Sequence, residues 1–170
     1  MTVTKLTVPY FSQLDNKNNP YGSCNVTAIA MCLAYFGKKS NIPQEQLEDE
    51  LYRYMERKGL DRHLPEDLAT LVSAYGLRDD FRRDGTIEQA QIHLRSGNPC
   101  AIHGYFTQYG HIATLVGCDD TGFLVHDPYG EYWESGYDRN VSGAYLHYSY
   151  GMIERLCMPD GGLWLHRISA

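Results

Sequence analysis

Through the first half of the chain the apolar residues fall at helical spacing. From Cys24 to Phe36 they do so on nearly every side, with Val26, Ala28, Ile29, Ala30, Met31, Cys32, Leu33 and Ala34 in one run. A helix without a polar face is one buried in a core rather than laid on its surface. Ser23 stands at the N-cap position and Gly37 just past the end, so the helix is predicted from Cys24 to Phe36. Pro43 to Lys58 carries Leu47, Leu51, Tyr54 and Met55 among acids and bases, the pattern of an amphipathic surface helix. Another is predicted from Leu64 to Tyr75, with Pro65 at its start and Gly76 beyond its end. A further one runs from Thr86 to Arg95, where Thr86 and Gln89 make a capping box and Gly97 closes the helix. The charges of Asp79 to Asp84 nearly cancel, and this run reads as a solvated loop.

From Pro99 the period changes to that of strands: Cys100–Phe106, His111–Gly117, Phe123–Pro128 and, at the end, Gly162–Ile168. Asp119 to Gly122 is too short a link for anything but antiparallel pairing, and a three-residue turn with Gly122 in the left-handed region is expected. A short strand is also expected within Thr2–Gln13, over Leu6–Phe11, confined to an edge or terminus by Pro9. Tyr129 to Tyr150 holds six tyrosines and Trp133 among glycines and polar residues, read as cover for an irregular β edge. Helices first and strands afterwards predict an α+β domain in two lobes.

At 170 residues and 43% hydrophobic the chain is long enough to bury a core, and one domain spanning residues 1–170 is expected. A net charge of −6 argues against nucleic acid or an anionic membrane as partner, since both call for a concentrated basic face. Met1 to Tyr10 has one lysine and no apolar h-region, and no run approaches about 18 apolar residues. A product that is cytoplasmic at synthesis, with no Sec signal or membrane span, is therefore expected. Five cysteines, at 24, 32, 100, 118 and 157, form neither a paired set nor a zinc-ligand spacing, which points to a reducing compartment and to buried thiols. The polar loop Leu14–Pro20 is rich in oxygens, with Asp15 to Asn19 at its centre, but lacks the glycine and closing glutamate of an EF-hand, so no metal is expected there.

Cys24 differs from the other four. It opens a helix behind a small-residue turn, where the dipole and unpaired backbone N–H groups favour thiolate. A catalytic cysteine also needs a base and an orienting group for that base. His111 enters a strand behind Gly110, and Asp127 ends the neighbouring strand 16 residues later, so the hairpin brings them near each other. A simple ladder count leaves them on one face but a few positions apart, a gap that twist or a bulge must close. His126 should point to the opposite face. His93, His103, His147 and His166 sit in helix or strand patterns that suit structural hydrogen bonding, and His63 in a loop.

The runs Val8-Pro9-Tyr10-Phe11-Ser12-Gln13, Tyr21-Gly22-Ser23-Cys24-Asn25, Gly110-His111-Ile112 and His126-Asp127-Pro128-Tyr129-Gly130 resemble the C39-like branch of the papain-type cysteine peptidases, in the order Gln, Cys, His, Asp. The resemblance covers about residues 6 to 130. It implies a papain-like fold with a helical lobe, a buried central helix and an antiparallel sheet lobe. It also implies Cys24 as nucleophile, His111 as base, Asp127 as its orienting partner and Gln13 as oxyanion donor, with no cofactor. Many members carry Cys-Gly-Pro where this chain has Cys24-Asn25-Val26, a form associated with bacterial and phage variants, and Cys24 follows Gln13 by 11 positions. The expected partner is a peptide or protein: a cell-wall peptide, a bacteriocin-type precursor or a phage structural protein. An amidase or transpeptidase would use the same machinery, and a binding module could keep the fold without turnover.

Overall fold

The computed structural model describes residues 2–170. After a two-residue strand β1 (Thr4–Lys5) the chain runs extended to a single 3-10 turn at Gln13–Asp15. The strand expected over Leu6–Phe11 does not form, and β1 lies just before it, because Pro9 has no N–H for a ladder and other groups find separate partners. The Leu6 N–H bonds the Val116 carbonyl at 2.7 Å, and the Tyr10 hydroxyl bonds the Asp127 carbonyl at 2.9 Å.

Helix α1 (Cys24–Tyr35) is buried from Asn25 to Leu33, and Gly37 ends it at φ 84°. Helix α2 (Leu47–Lys58) begins later than its sequence pattern suggested and stops at Gly59 in the left-handed region. Its acids Glu48, Asp49 and Glu50 are buried rather than solvated. Glu50 accepts from the Asn41 N–H at 2.6 Å and the Tyr75 hydroxyl at 2.6 Å. Asp49 accepts from the N–H groups of Lys17 at 3.3 Å and Asn18 at 3.0 Å, which fastens the Leu14–Pro20 loop to the helix. Helix α3 (Pro65–Ala74) follows with Pro65 in its first turn.

The run read as a solvated loop is instead an edge strand, β2 (Arg78–Gly85). Its charges lie outward, Arg82 pairing with Asp84 within the strand and Asp80 with Arg167 on the neighbouring strand, while Asp79 turns inward. Charged side chains are a usual way to blunt a sheet edge, so they do not argue against a strand. Helix α4 (Ile87–Arg95) starts with the predicted capping box, both bonds present at 3.0 and 3.1 Å. Strands β3 (Cys100–Gly104), β4 (His111–Cys118) and β5 (Gly122–His126) fall close to their predicted places. The tyrosine-rich stretch resolves into a hairpin, β6 (Glu131–Trp133) and β7 (Gly136–Asp138), then β8 (Leu146–Ser149) and a helix α5 (Tyr150–Cys157). Strand β9 (Leu163–Ser169) ends the chain.

The main sheet is antiparallel in the order β2-β9-β3-β4-β5-β8, with β1 also paired to β4. Because side chains alternate across a strand, the sheet builds two cores. Ala101, Ile112 and Ile168 face α1, α2 and α3, whereas Cys100, Ile102, Ala113 and Leu115 face α4 and α5. This is the mixed helix and antiparallel-sheet class that the sequence led us to expect, although the sheet also recruits β1 and β2 from the helical half. Gly122 does not take the left-handed conformation predicted for it. Its need is space: a Cβ there would lie 2.4 Å from the Tyr148 carbonyl oxygen of β8. Among the described residues, no helix is long and apolar enough to cross a membrane.

Asp49→Ala is expected to cost about 1–3 kcal/mol, since it leaves two N–H groups of the loop without their acceptor. Urea unfolding measures the loss, and tryptic cleavage after Lys17 under native conditions should accelerate with it.

Candidate active site

Cys24 is the first residue of α1 and is partly exposed, while the other four thiols are buried. Ser23 occupies the N-cap position but its φ of −106° and ψ of 26° do not allow it to cap, and no side-chain capping bond forms. Its hydroxyl instead meets the Asn16 amide at 2.9 Å, and its carbonyl accepts from the Thr27 hydroxyl at 2.7 Å. In the orientation that satisfies both ends of the Asn16 amide, it also donates to Glu48 at 3.1 Å. The loop before Cys24 is thereby locked to α1 and α2, and in the first turn of the helix the Asn25 Oδ1 accepts the Val26 N–H at 2.8 Å.

Burial pushes the thiols of Cys32, Cys100 and Cys118 above their ordinary value, and that of Cys157 up to about 12. Burial acts on Cys24 in the same direction. There it is more than offset by the charge of His111, a hydrogen bond from His111 and another from the Ile112 N–H, so the thiol is held below its ordinary value. For His111, burial alone would lower the imidazole. The carboxylate of Asp127 and the thiolate of Cys24 win, and the imidazole is raised.

The pairing of β4 with β5 contains the bulge that the ladder count required. Thr114 faces His126 and Leu115 faces Val125, but Gly117 faces Leu124, so Val116 is the extra residue. His111 then reaches diagonally to Asp127, the first residue after β5, with Nε2 to Oδ1 at 2.8 Å. That leaves Nδ1 as the ring nitrogen for Cys24.

Asp127 is fully buried, and its carboxylate is saturated with donors. Oδ1 takes the His111 Nε2–H and the Tyr129 N–H at 3.0 Å; Oδ2 takes the hydroxyls of Tyr137 at 2.8 Å and Tyr148 at 2.7 Å. Burial and the neighbouring carboxylate hold both phenols far above their ordinary value, so they stay protonated donors. The backbone is fixed as firmly. The Asp127 N–H bonds the Gly143 carbonyl at 2.9 Å, and a Cβ on Gly143 would lie 1.9 Å from the Asp127 carbonyl oxygen. The edges of Phe106, 5.8 Å away, and Tyr137, 5.5 Å away, close over the imidazole. Tyr137 and Tyr148 are the functional residues that sequence reading missed. The one signal was the tyrosine-rich stretch itself, read as edge cover, beside a buried aspartate that would need donors.

Gln13 is buried and lines the same cleft as Cys24 and His111, a space of about 760 Å3. Its backbone N–H bonds the Pro128 carbonyl at 2.9 Å and its Nε2 donates to the Pro20 carbonyl at 3.0 Å, while Oε1 has no partner. One Nε2 hydrogen remains for a ligand. Of the four residues singled out in the sequence, Gln13, Cys24 and His111 thus line one cleft, and Asp127 lies buried behind His111. His126 lies elsewhere, bonded to the Val8 carbonyl at 2.8 Å and the Tyr145 N–H at 3.0 Å. Among the described residues, no group of three or more His, Cys, Asp or Glu side chains is arranged to hold a metal ion.

The sequence profile of the Peptidase_C39 like family matches residues 5–158. No curated protein matches. Among solved structures, a candidate C39-like peptidase from Bacillus anthracis superposes with a TM-score of 0.64 at 15% identity, covering 100% of this chain and 99% of the other. A double glycine motif protease from an AMS/PCAT transporter, solved in complex with its leader peptide, gives a TM-score of 0.56 at 18% identity, covering 99% and 100%.

Tyr137→Phe and Tyr148→Phe should each lower unfolding free energy by about 1.5–3 kcal/mol, the range for hydrogen bonds to a charged group, as measured by chemical denaturation. The pH dependence of stability carries the sign of the His111 shift. A raised imidazole contributes stability in full below its unfolded value of ~6.5 and loses it as pH climbs toward the folded value. Unfolding free energy of the wild type relative to His111→Gln should therefore shrink as pH rises above that value.

Proposed function

The chain belongs to the peptidase C39-like family, and on that premise we propose that it hydrolyses a peptide bond through a thioester on Cys24. The observation that carries this reading is the placement of Cys24, at the start of α1, in one cleft with His111, whose Nε2 is held by Asp127 at 2.8 Å; the lowered thiol and raised imidazole agree with it, since both shifts are toward thiolate and imidazolium. Such a pair needs no separate step to generate the nucleophile.

The thiolate of Cys24 attacks the scissile carbonyl carbon, and the carbonyl oxygen takes up the negative charge. The free Nε2 hydrogen of Gln13 and the backbone N–H of Cys24 at the start of α1 are the donors for that charge. The C–N bond then breaks, and the imidazolium of His111 gives its proton to the departing amine. A water molecule next attacks the thioester, His111 takes its proton, and the C–S bond breaks to release the acid and restore thiolate and imidazolium. Asp127 fixes the ring through Nε2 and stabilises the charge on it.

A peptide substrate agrees with the solved neighbour that holds a leader peptide. An amidase or transpeptidase would share the acyl-enzyme and differ only in the acceptor. Substrates drawn from cell-wall peptides or protein precursors, in a bacterial or phage setting, follow from the family resemblance.

Digestion of a peptide library with mass-spectrometric identification of products tests the reading. Wild type should yield new termini with water incorporated, and Cys24→Ala should yield none. His111→Ala should be nearly inactive and Asp127→Asn more active than it, because a cysteine depends less on the orienting residue than a serine does. Gln13→Ala should lower kcat by about 100-fold with KM little changed, since an oxyanion donor acts only once charge has developed. Wild-type cleavage that survives Cys24→Ala would contradict the mechanism.

A further inference from the structure

A second hydrogen-bonded row of titratable side chains enters the same cleft from the other side, and the mechanism does not use it. Asp79 on β2, His166 on β9 and His103 on β3 lie across neighbouring strands. Asp79 Oδ2 meets His166 Nδ1 at 2.6 Å, with both side chains fully withdrawn from solvent. His166 Nε2 meets His103 Nε2 at 2.8 Å, with ring planes only 29° apart, so the N–H of one can point at the in-plane lone pair of the other. The His103 ring belongs to the wall of the catalytic cleft, and its Nδ1 has no partner among the described residues.

Asp79 and His166 sit together out of water, and the remaining oxygen of Asp79 is buried without a donor. Both ring nitrogens of His166 are taken up, Nδ1 by Asp79 and Nε2 by His103, so Nδ1 is the ring nitrogen of His103 left for a ligand. Burial pushes the His103 imidazole below its ordinary value and so favours its neutral form. A neutral His103 whose Nε2 accepts from His166 carries its hydrogen on Nδ1, where it is a donor one strand from β4, which carries His111.

The rest of that end of the cleft has the same polarity. The guanidinium of Arg83 stacks 4.8 Å from Trp164 and is ion-paired through both terminal nitrogens with Glu66. Arg62 stacks 4.0 Å from the Tyr52 ring and has no ion-pair partner among the described residues. Of the acids on this wall, Asp84 is engaged by Arg82, and Asp160 is exposed to water.

Resting on the peptidase reading, we propose that His103, Arg83 and Arg62 form a specificity subsite for a carboxylate of the substrate. The carboxylate belongs either to an acidic side chain or to a free C-terminus. Carboxylate recognition by a fixed N–H and guanidinium groups is strongly selective, because replacing the anion by an amide leaves the donors without their charged partner.

The test uses matched peptides that the wild type cleaves, with Asp or Glu changed to Asn or Gln at each position, and separately with the C-terminal carboxylate changed to carboxamide. One carboxylate-to-amide change should lower kcat/KM by about 10-fold or more, mainly through KM; which arm does so identifies the source. His103→Phe should collapse the acid-to-amide ratio toward unity, His103→Gln should restore part of it, and Arg62→Gln, at a half-exposed position, should reduce it independently. Equal cleavage of acid and amide forms by wild type, or an unchanged ratio in both His103→Phe and Arg62→Gln, would overturn the subsite. If wild type cleaves no peptide, the peptidase reading fails by itself. Calorimetric binding of the same pairs to Cys24→Ala then decides the subsite: tighter binding of the acid form supports it, and equal binding overturns it.

Discussion

The geometry of the cleft depends on one buried carboxylate. A carboxylate fully removed from water is costly unless its charge is compensated and its lone pairs are filled. Asp127 meets both conditions, with two phenols, one backbone N–H and the His111 imidazole on its two oxygens. Because the phenols cannot ionise in that setting, the negative charge remains on the carboxylate, and the counter-charge it calls for falls on His111. The raised imidazole in turn holds the Cys24 thiol down. The chain of cause runs from burial of an acid to the lowered thiol of Cys24.

The fold supplies this arrangement from separate parts. Helix α1 brings Cys24 from the core on one face of the sheet, and the Thr27–Ser23–Asn16 bonds lock its entry loop. Strand β4 carries His111 and, through the bulge at Val116, aligns it with the end of β5. The β6–β7 hairpin and β8, outside the helical half altogether, contribute Tyr137 and Tyr148. Close approach at Gly143, where no side chain would fit, sets the backbone of Asp127. An error in any of these displaces the same few atoms.

How much of this could be read in the sequence depended on whether the signal was local. Helix α1 was legible because its apolar run and flanking Ser23 and Gly37 are contiguous, and α4 because Thr86 and Gln89 stand at fixed spacing. The nearness of His111 and Asp127 was legible through a hairpin, Cys24 stood out by its place at the start of α1, and Gln13 entered only through the family resemblance. Other features depended on partners far along the chain. The β2 strand looked like a loop since its alternation is hidden by outward charges that pair with β9 and within the strand itself. The acids of α2 looked solvated, yet Asp49 and Glu50 are buried as acceptors for loops 31 and 9 residues away. The two tyrosines on Asp127 lie 10 and 21 residues from it, with nothing local to mark them as donors instead of cover. The row from Asp79 to His103 spans three strands and becomes visible only once β2 is a strand.

The pH dependence of alkylation, mapped cysteine by cysteine by mass spectrometry in wild type and His111→Gln, addresses the central claim most directly. A thiolate sustained by His111 predicts that Cys24 alkylates rapidly well below the free-thiol value of ~8.5, while Cys32, Cys100, Cys118 and Cys157 do not react. It also predicts that His111→Gln moves the Cys24 profile up toward the free-thiol value. A wild-type profile for Cys24 centred at or above that value, or one that His111→Gln leaves in place, would contradict it.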